Sequence, residues 1–400
     1  MTVSKRFQYN RLEFAGSLGD LGTLLPIAIA MIIFNGLSPV GVFLSIGGFY
    51  LLSGVYFGIT VPVQPMKVIG AYAIATAMDP DQILASSLLM GAALLIIGLT
   101  GAIDLISKLT PKSVIRGVQL STGILLVSGG VKFIIGTSKY QLLQQAVEPH
   151  LAFQSFASVP ISLLIGSVAA IVTLFFLDSK RFPAGLIIVL GGIATGLALG
   201  ARVDLSNAIS FNLPDILPFG FPGKIDFTFA LFALVLPQLP MTLGNAVLAY
   251  TDLSKTYFGN RSAGITNRAA CVSMAMANFF SFIVGGMPLC HGAGGLAAHY
   301  RFGARTAGSN VIIGLIFLTL AIFFGDDIVK IFNLLPMSIL GVMLVFAGSQ
   351  LTLTIMDLDQ RKDYFITTLI LGITLASNLA MGFIVGMIIA HLIRWERLSV

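Results

Sequence analysis

Apolar runs of about 20 residues follow one another from residue 12 to the last few positions, separated by short polar or glycine- and proline-marked breaks. That length crosses a bilayer as a helix. The pattern divides into about fourteen segments, near 12–34, 39–58, 61–78, 82–103, 113–135, 158–178, 183–200, 227–250, 264–284, 287–300, 306–324, 331–350, 363–378 and 380–396. One of them is interrupted by Val61-Pro-Val-Gln-Pro-Met-Lys67, two prolines and a lysine where an unbroken membrane helix would want neither. No stretch at either end is left for a soluble domain of useful size.

The two halves resemble each other at an offset of about 223 to 225 residues. Pro65, in Gln-Pro-Met-Lys, aligns with Pro288, in Met-Pro-Leu-Cys-His. Pro111-Lys-Ser-Val-Ile-Arg-Gly-Val118 echoes Pro336-Met-Ser-Ile-Leu-Gly-Val342 with one residue deleted. Seven segments per half is an odd number, so the second half lies upside down relative to the first. Such inverted repeats, with interrupted segments at equivalent places, mark the substrate region of secondary transporters. The expected fold is therefore an all-α membrane protein: a 7+7 inverted repeat with two half-helices and short extended leads.

Composition agrees. The chain of 400 residues is 56% hydrophobic and 10% charged, against about a quarter charged in soluble domains. The net charge of +6 is explained by loops on one side of the membrane, without nucleic acid. With the N-terminus inside, Lys5, Arg6 and Arg11, and the clusters Lys108/Lys112/Arg116, Lys180/Arg181, Lys255/Arg261/Arg268, Arg301/Arg305, Arg361/Lys362 and Arg394/Arg397, all fall on the cytoplasmic side. Lys132, Lys139, Arg202, Lys224 and Lys330 fall outside. This asymmetry predicts a multi-pass protein of the cell inner membrane with both termini cytoplasmic, and Trp395 as an interfacial anchor. The first span carries no small-residue cleavage site and is expected to be retained. Cys271 and Cys290 both lie in apolar stretches and imply no disulfide framework. The Cys-His pair lacks zinc spacing, and no metal or cofactor is expected.

The broken segments carry the candidate chemistry. Proline suits a first helical position, so Pro65 and Pro288 are expected to start half-helices, led by the extended stretches Ile59-Thr-Val-Pro-Val63 and Ser281-Phe-Ile-Val284. Two helix N-termini facing one cavity make an anion site, each offering free N–H groups and about half a positive charge. Lys67 would add a full charge, enough in total to balance a dianion. Alternatively, Lys67 pairs with Asp20, the acid placed within a span, and the pocket suits a monoanion or a dianion travelling with a proton. Asp20 and His291 are the titratable candidates. Gly292, Gly294 and Gly295 admit either a ligand or close helix packing, and His291 either donates to an oxyanion or is structural. Gly16-Ser-Leu-Gly-Asp-Leu-Gly-Thr23 and Pro237-Gln-Leu-Pro-Met-Thr-Leu-Gly-Asn245 occupy corresponding, unusually polar places. Their Gln238, Thr242 and Asn245 either bond an oxyanion or satisfy broken backbone. The candidate binding set is Asp20, Thr23, Gln64, Pro65, Met66, Lys67, Gln238, Thr242, Asn245, Pro288, Cys290, His291, Gly292, Ala293 and Gly294, with no catalytic residue.

Gly19-Asp-Leu-Gly-Thr23, Pro62-Val-Gln-Pro-Met-Lys67 and Gly286-Met-Pro-Leu-Cys-His-Gly-Ala-Gly-Gly-Leu296, running on to Tyr300-Arg-Phe-Gly-Ala-Arg305, resemble the molybdate transporter family, a branch of the sulfate permease superfamily. The resemblance covers essentially the whole chain. It implies a core domain (1–110 and 227–325) that carries substrate against a gate domain (111–226 and 326–400). It also implies uptake of molybdate by alternating access, with tungstate and sulfate as competitors. It further implies that the regulatory domain typical sulfate permeases carry after the last span is not to be expected, as in the molybdate branch. A homodimer is left open, as is proton coupling. Two rivals share the fold: a sulfate transporter, and a proton-coupled nucleobase permease, which would want carboxylates that segments 8 and 10 lack. No paired carboxylates or nucleophile–base constellation supports a membrane enzyme.

Overall fold

Glycines in the left-handed conformation end the helices that precede both interruptions: Gly58 at φ +73° and Gly285 at φ +72°. Such glycines close a helix without steric cost. The computed structural model describes residues 6–103, 109–177, 179, 183–202 and 211–393. Lys5, Lys108, Lys180, Arg181, Arg394, Trp395 and Arg397 lie outside the described residues.

In the first half, α1 (Arg11–Ser17) and α2 (Leu21–Asn35) form one span bent by 43°. They are followed by α3 (Pro39–Phe57), strand β1 (Gln64–Pro65), α4 (Lys67–Thr76), α5 (Pro80–Thr100) and α6 (Lys112–Ile135). A short helix α7 (Lys139–Gln144) and the hairpin β2 (Ser155–Phe156) and β3 (Val159–Pro160) precede α8 (Ile161–Leu177) and α9 (Ala184–Ala198). The second half begins with the rod α10 (Lys224–Ser262), which contains two π-helical stretches, Leu231–Val235 and Thr242–Ala249. It continues with α11 (Asn267–Val284), β4 (Leu289–Cys290), α12 (Ala293–Arg301), α13 (Ala307–Phe324), α14 (Ile328–Phe332), α15 (Met337–Thr352), α16 (Arg361–Ala376) and α17 (Leu379–Ile393). Within the described residues each apolar segment overlaps a helix, some with an extended lead or a short break. The half-helix α4, with 10 residues, is about 15 Å long, half of a bilayer core.

The halves interlock. Across the repeats, α3 packs on α13, α5 on α11 and α6 on α15, and β1 pairs antiparallel with β4. Glycines set the closest approach: a Cβ on Gly123 or Gly348 would meet the other's carbonyl oxygen at 2.7 or 2.6 Å. Such contacts are how membrane helices gain dispersion energy without a hydrophobic drive.

The unwound leads obey the rule that backbone polar groups at membrane depth need partners. Asn310 of α13 accepts from Val61 N at 2.8 Å and donates to Val61 O at 2.8 Å. Asn278 of α11 does the same for Leu289, at 3.1 and 2.8 Å. Each asparagine acts as one more strand beside a lead. Met66 N donates to Pro288 O at 2.9 Å, and Gln64 lies opposite Cys290.

Two expectations are corrected. Pro65 and Pro288 do not start the half-helices: α4 begins at Lys67 and α12 at Ala293. The φ that proline imposes fits extended backbone as well as a helix start, and pairing between the leads holds both prolines there. The second lead is not Ser281–Val284, which is the last turn of α11, but the stretch after Gly285.

Candidate functional site

Asp20 sits in the bend between α1 and α2 but does not cap α2 with its side chain. Its buried carboxylate instead accepts from Gln64 Nε2 at 2.7 Å. The corresponding place in the second half, around Asn245, is π-helical. Extra backbone of this kind commonly re-aims side chains at functional sites. Both repeats are thus distorted where their polar residues face inward.

A cavity of about 590 Å³ runs from this bend. It is lined by Asp20, Thr23, Gln64, Lys67, Asn245 and Gly294, and also by Gln119, Arg301, Phe302, Gln350 and Thr354. Lys67 is the first residue of α4. No ion pair within 4.0 Å joins it to Asp20 among the described residues. The tight Asp20–Lys67 pair is therefore not formed, although both side chains face the same space.

The two half-helix starts are equipped differently. At α4, Gln238 Oε1 accepts from Val68 N at 2.9 Å and Ile69 N at 3.2 Å, while Gln238 Nε2 donates to Thr242 at 2.9 Å. Of the two roles open to Gln238, the geometry gives it that of satisfying backbone, and Thr242 holds the amide in place. At α12 no side chain caps the helix. The N–H groups of Ala293, Gly294 and Gly295 find no protein acceptor among the described residues. Glycine is required beside them: a Cβ on Gly292 would overlap Gln64 Oε1, and one on Gly295 would lie 2.5 Å from Asp20 Oδ2 and 2.8 Å from Gln64 Nε2.

Other members of the predicted set hold the frame. His291 is engaged at both ring nitrogens, Nδ1 with Pro62 O at 2.9 Å and Nε2 with Ser273 at 3.1 Å. Its ring packs between Phe49 and Tyr250, so it is walled off from the cavity. Cys290 Sγ points to Pro65 O at 3.7 Å. Pro65, Met66 and Pro288 contribute backbone to the paired leads.

Sequence reasoning missed the cavity-lining residues Gln119, Gln350 and Thr354. Arg116 donates to Gln119 at 2.8 Å and to Asp357 at 2.9 Å, and Thr354 donates to Gln119 at 3.0 Å. It also missed Glu13, whose carboxylate is 1% exposed and accepts from the N–H groups of Arg305 and Thr306, at the start of α13. Gln119 and Gln350 were legible only as polar residues among others on membrane helices.

The family model described as "Molybdate transporter of MFS superfamily" matches residues 12–126 and 230–351. Molybdate transporter 1 of Arabidopsis thaliana is 30% identical over 98% of this chain and 90% of its own length. Molybdate transporter 2 of the same plant is 29% identical over 97% and 88%. Molybdate transporter 1 of Chlamydomonas reinhardtii is 28% identical over 94% and 90%. Among solved structures, the transmembrane domain of the cyanobacterial bicarbonate transporter BicA superposes with TM-score 0.64 at 17% identity, over 96% of this chain and 98% of that one. The murine anion transporter Slc26a9 in its inward-facing state gives 0.68 at 12% identity, over 98% and 69%. These likenesses identify the fold. They agree with the inverted 7+7 repeat, not with the parallel halves of the major facilitator architecture that the family description mentions.

Proposed function

The chain belongs to the molybdate transporter family, and from that premise we propose that it carries molybdate across the membrane by alternating access. The observation that carries the reading is the cavity that Lys67 and the uncapped first turn of α12 both line. A tetrahedral oxyanion there would accept from Ala293, Gly294 and Gly295 N–H groups and from Lys67, with Asn245 completing the shell. The α12 start supplies about half a positive charge and Lys67 one more. An isolated charge in a membrane interior costs about 3 kcal/mol, and an anion beside Lys67 offsets that cost. With α4 capped by Gln238, the pocket is less positive than two free starts would make it.

Asp20 decides the sign of the remainder. Ionised, it cancels much of Lys67; protonated, it leaves room for a dianion. We therefore assign uptake of a dianion together with a proton held on Asp20. The moving core comprises 1–110 and 227–325 and the gate comprises 111–226 and 326–400, and both termini face the cytoplasm at the cell inner membrane. Proteoliposome uptake of labelled molybdate tests this, with tungstate, sulfate and uracil as competitors and with and without a pH gradient. Saturable uptake, blocked by tungstate and driven by an inward proton gradient, is expected. Uptake blocked by uracil and indifferent to tungstate would defeat the reading.

A further inference from the structure

Gln64 is 1% exposed, and its carboxamide is only half satisfied. Nε2 donates to Asp20 Oδ2 at 2.7 Å, while Oε1 is buried with no donor. That orphan oxygen faces the backbone of Gly292 at the first turn of α12, close enough that a Cβ there would overlap it. An unpaired acceptor in a pocket built for an anion carries an uncompensated desolvation penalty and also repels the substrate.

The chemistry of the pair explains the orientation. An ionised carboxylate only accepts, so it takes the amide's N–H and leaves the carbonyl outward. A protonated Asp20 has an O–H to donate, and the carbonyl of the carboxamide already bonded to it is an acceptor with no other donor. The terminal torsion of glutamine is soft and close to two-fold, and Gly292 and Gly295 leave a slot in which the amide can turn. After reversal its N–H groups face the first turn of α12. We propose that Gln64 is a positioning residue that converts the protonation of Asp20 into oxyanion affinity by reversing its carboxamide. This rests on the oxyanion transport reading above and supplies its coupling step.

The groups facing Asp20 are few. Lys67 comes from α4, Thr23 from its own helix, Asn245 from α10 and the Gly295 backbone from α12. The nearby Tyr50 hydroxyl donates to Val63 O at 3.3 Å, and Cys290 Sγ points to Pro65 O at 3.7 Å. Arg301 also lines the cavity. Protonation of Asp20 therefore acts twice: it removes a charge opposed to Lys67, and it turns an acceptor into donors.

The test separates those two effects. Molybdate affinity is measured on the full chain in detergent at pH 5.5 and 8 (roughly one unit or more to either side of neutral). Wild type binds more tightly at the lower pH. Gln64→Met, and Gln64→Leu as a second variant, bind more weakly and lose at least threefold of the pH ratio. Asp20→Asn binds with a ratio near one. A pH ratio kept whole in both Gln64 variants would show that Asp20 acts by charge alone and would overturn the switch. A second readout needs no variant at residue 64: the pH-difference infrared spectrum of protein carrying carbonyl-labelled glutamine. It should show a buried amide carbonyl gaining a hydrogen bond at low pH, absent in Asp20→Asn; no such band would also overturn the switch. Wild type binding molybdate equally at both pH values defeats the switch but leaves oxyanion binding standing. Wild type binding neither molybdate, tungstate nor sulfate defeats the transport reading itself.

Discussion

The starts of α4 and α12 occupy equivalent places in the two repeats, yet one is closed and the other open. Both follow a helix ended by a left-handed glycine, and both leads are held by an asparagine from a neighbouring helix. At α4 the freed N–H groups of Val68 and Ile69 are taken by Gln238. At α12, where the sequence reads Gly292-Ala-Gly-Gly295, no side chain caps the turn. The polar residues of the preceding spans diverge in the same way, with an acid at 20 and a neutral amide at 245. Symmetry supplies the scaffold for two breaks that meet, and departures from symmetry supply the chemistry. A cation on the closed start and bare amides on the open one concentrate positive potential on one side of the cavity, beside the carboxylate that can modulate it.

Gln238→Leu tests the closed start most severely. It leaves two buried N–H groups unpaired, at about 1–3 kcal/mol each, and should lower the unfolding midpoint in detergent well beyond the effect on molybdate affinity. If stability held and affinity collapsed, Gln238 would be a ligand residue instead of a cap, and the contrast would fail.

Lys67→Met should cost somewhat less. A charge-assisted hydrogen bond contributes about 1.5–3 kcal/mol, so molybdate should bind about 10- to 100-fold more weakly while stability changes little. Retained affinity would remove Lys67 from the site.

The open start is sharpened by neighbouring glycines. Gly295→Ala forces a methyl against Asp20 and Gln64, whereas a Cβ on Gly294 meets nothing within 4 Å. Gly295→Ala should weaken molybdate binding about tenfold, roughly 1.4 kcal/mol, and Gly294→Ala by less than threefold. Equal losses would show that the cradle is not shaped around the Asp20–Gln64 pair.

Much of this was legible in the sequence because membrane-spanning length and proline position are local signals. The apolar runs located the segments, and Pro65 and Pro288 located the breaks and their meeting. The helix starts were misplaced by two residues at Lys67 and five at Ala293. The reason is non-local: strand pairing between Gln64 and Cys290, 226 positions apart, extends both leads past their prolines. The roles of Gln238 and His291 were illegible for the same reason. An amide that caps and an amide that binds substrate read alike until the neighbour is known, and His291 is fixed by Pro62 and Ser273 from other segments. Asp20 stood out because a carboxylate inside a span is expensive. Glu13 and Glu148 did not, because one fell at a segment end and the other in a loop, where acids are ordinary.

Glu148 extends the comparison to a second pair of repeated starts, and it carries the smallest effect. Pro111 and Pro336 precede α6 and α15. The first turn of α6 is closed by its own backbone, with Val114 N and Ile115 N donating to Pro111 O. At α15 the carboxylate of Glu148, from the loop after α7, also accepts from Met337 N at 2.7 Å and Ser338 N at 2.9 Å. Burial pushes the Glu148 carboxyl above its ordinary value of 4.5, and the bonds from Ser338 and Met337 pull it only part of the way back. The folded chain then holds this proton more tightly than the unfolded one. Its contribution to stability is full below about 4.5 and is lost as pH rises through the raised folded value. Glu148→Gln cannot ionise and keeps one carbonyl acceptor. It should match wild type within about 1 kcal/mol at low pH and lose less stability as pH rises towards neutral. Nearby His150 is pushed down by burial and acts oppositely, weakening the fold as pH falls, so the quantity to read is the difference between the two thermal-stability curves. Parallel curves would mean that the cap on α15 does not titrate, and that this pair of starts differs in hydrogen bonding alone.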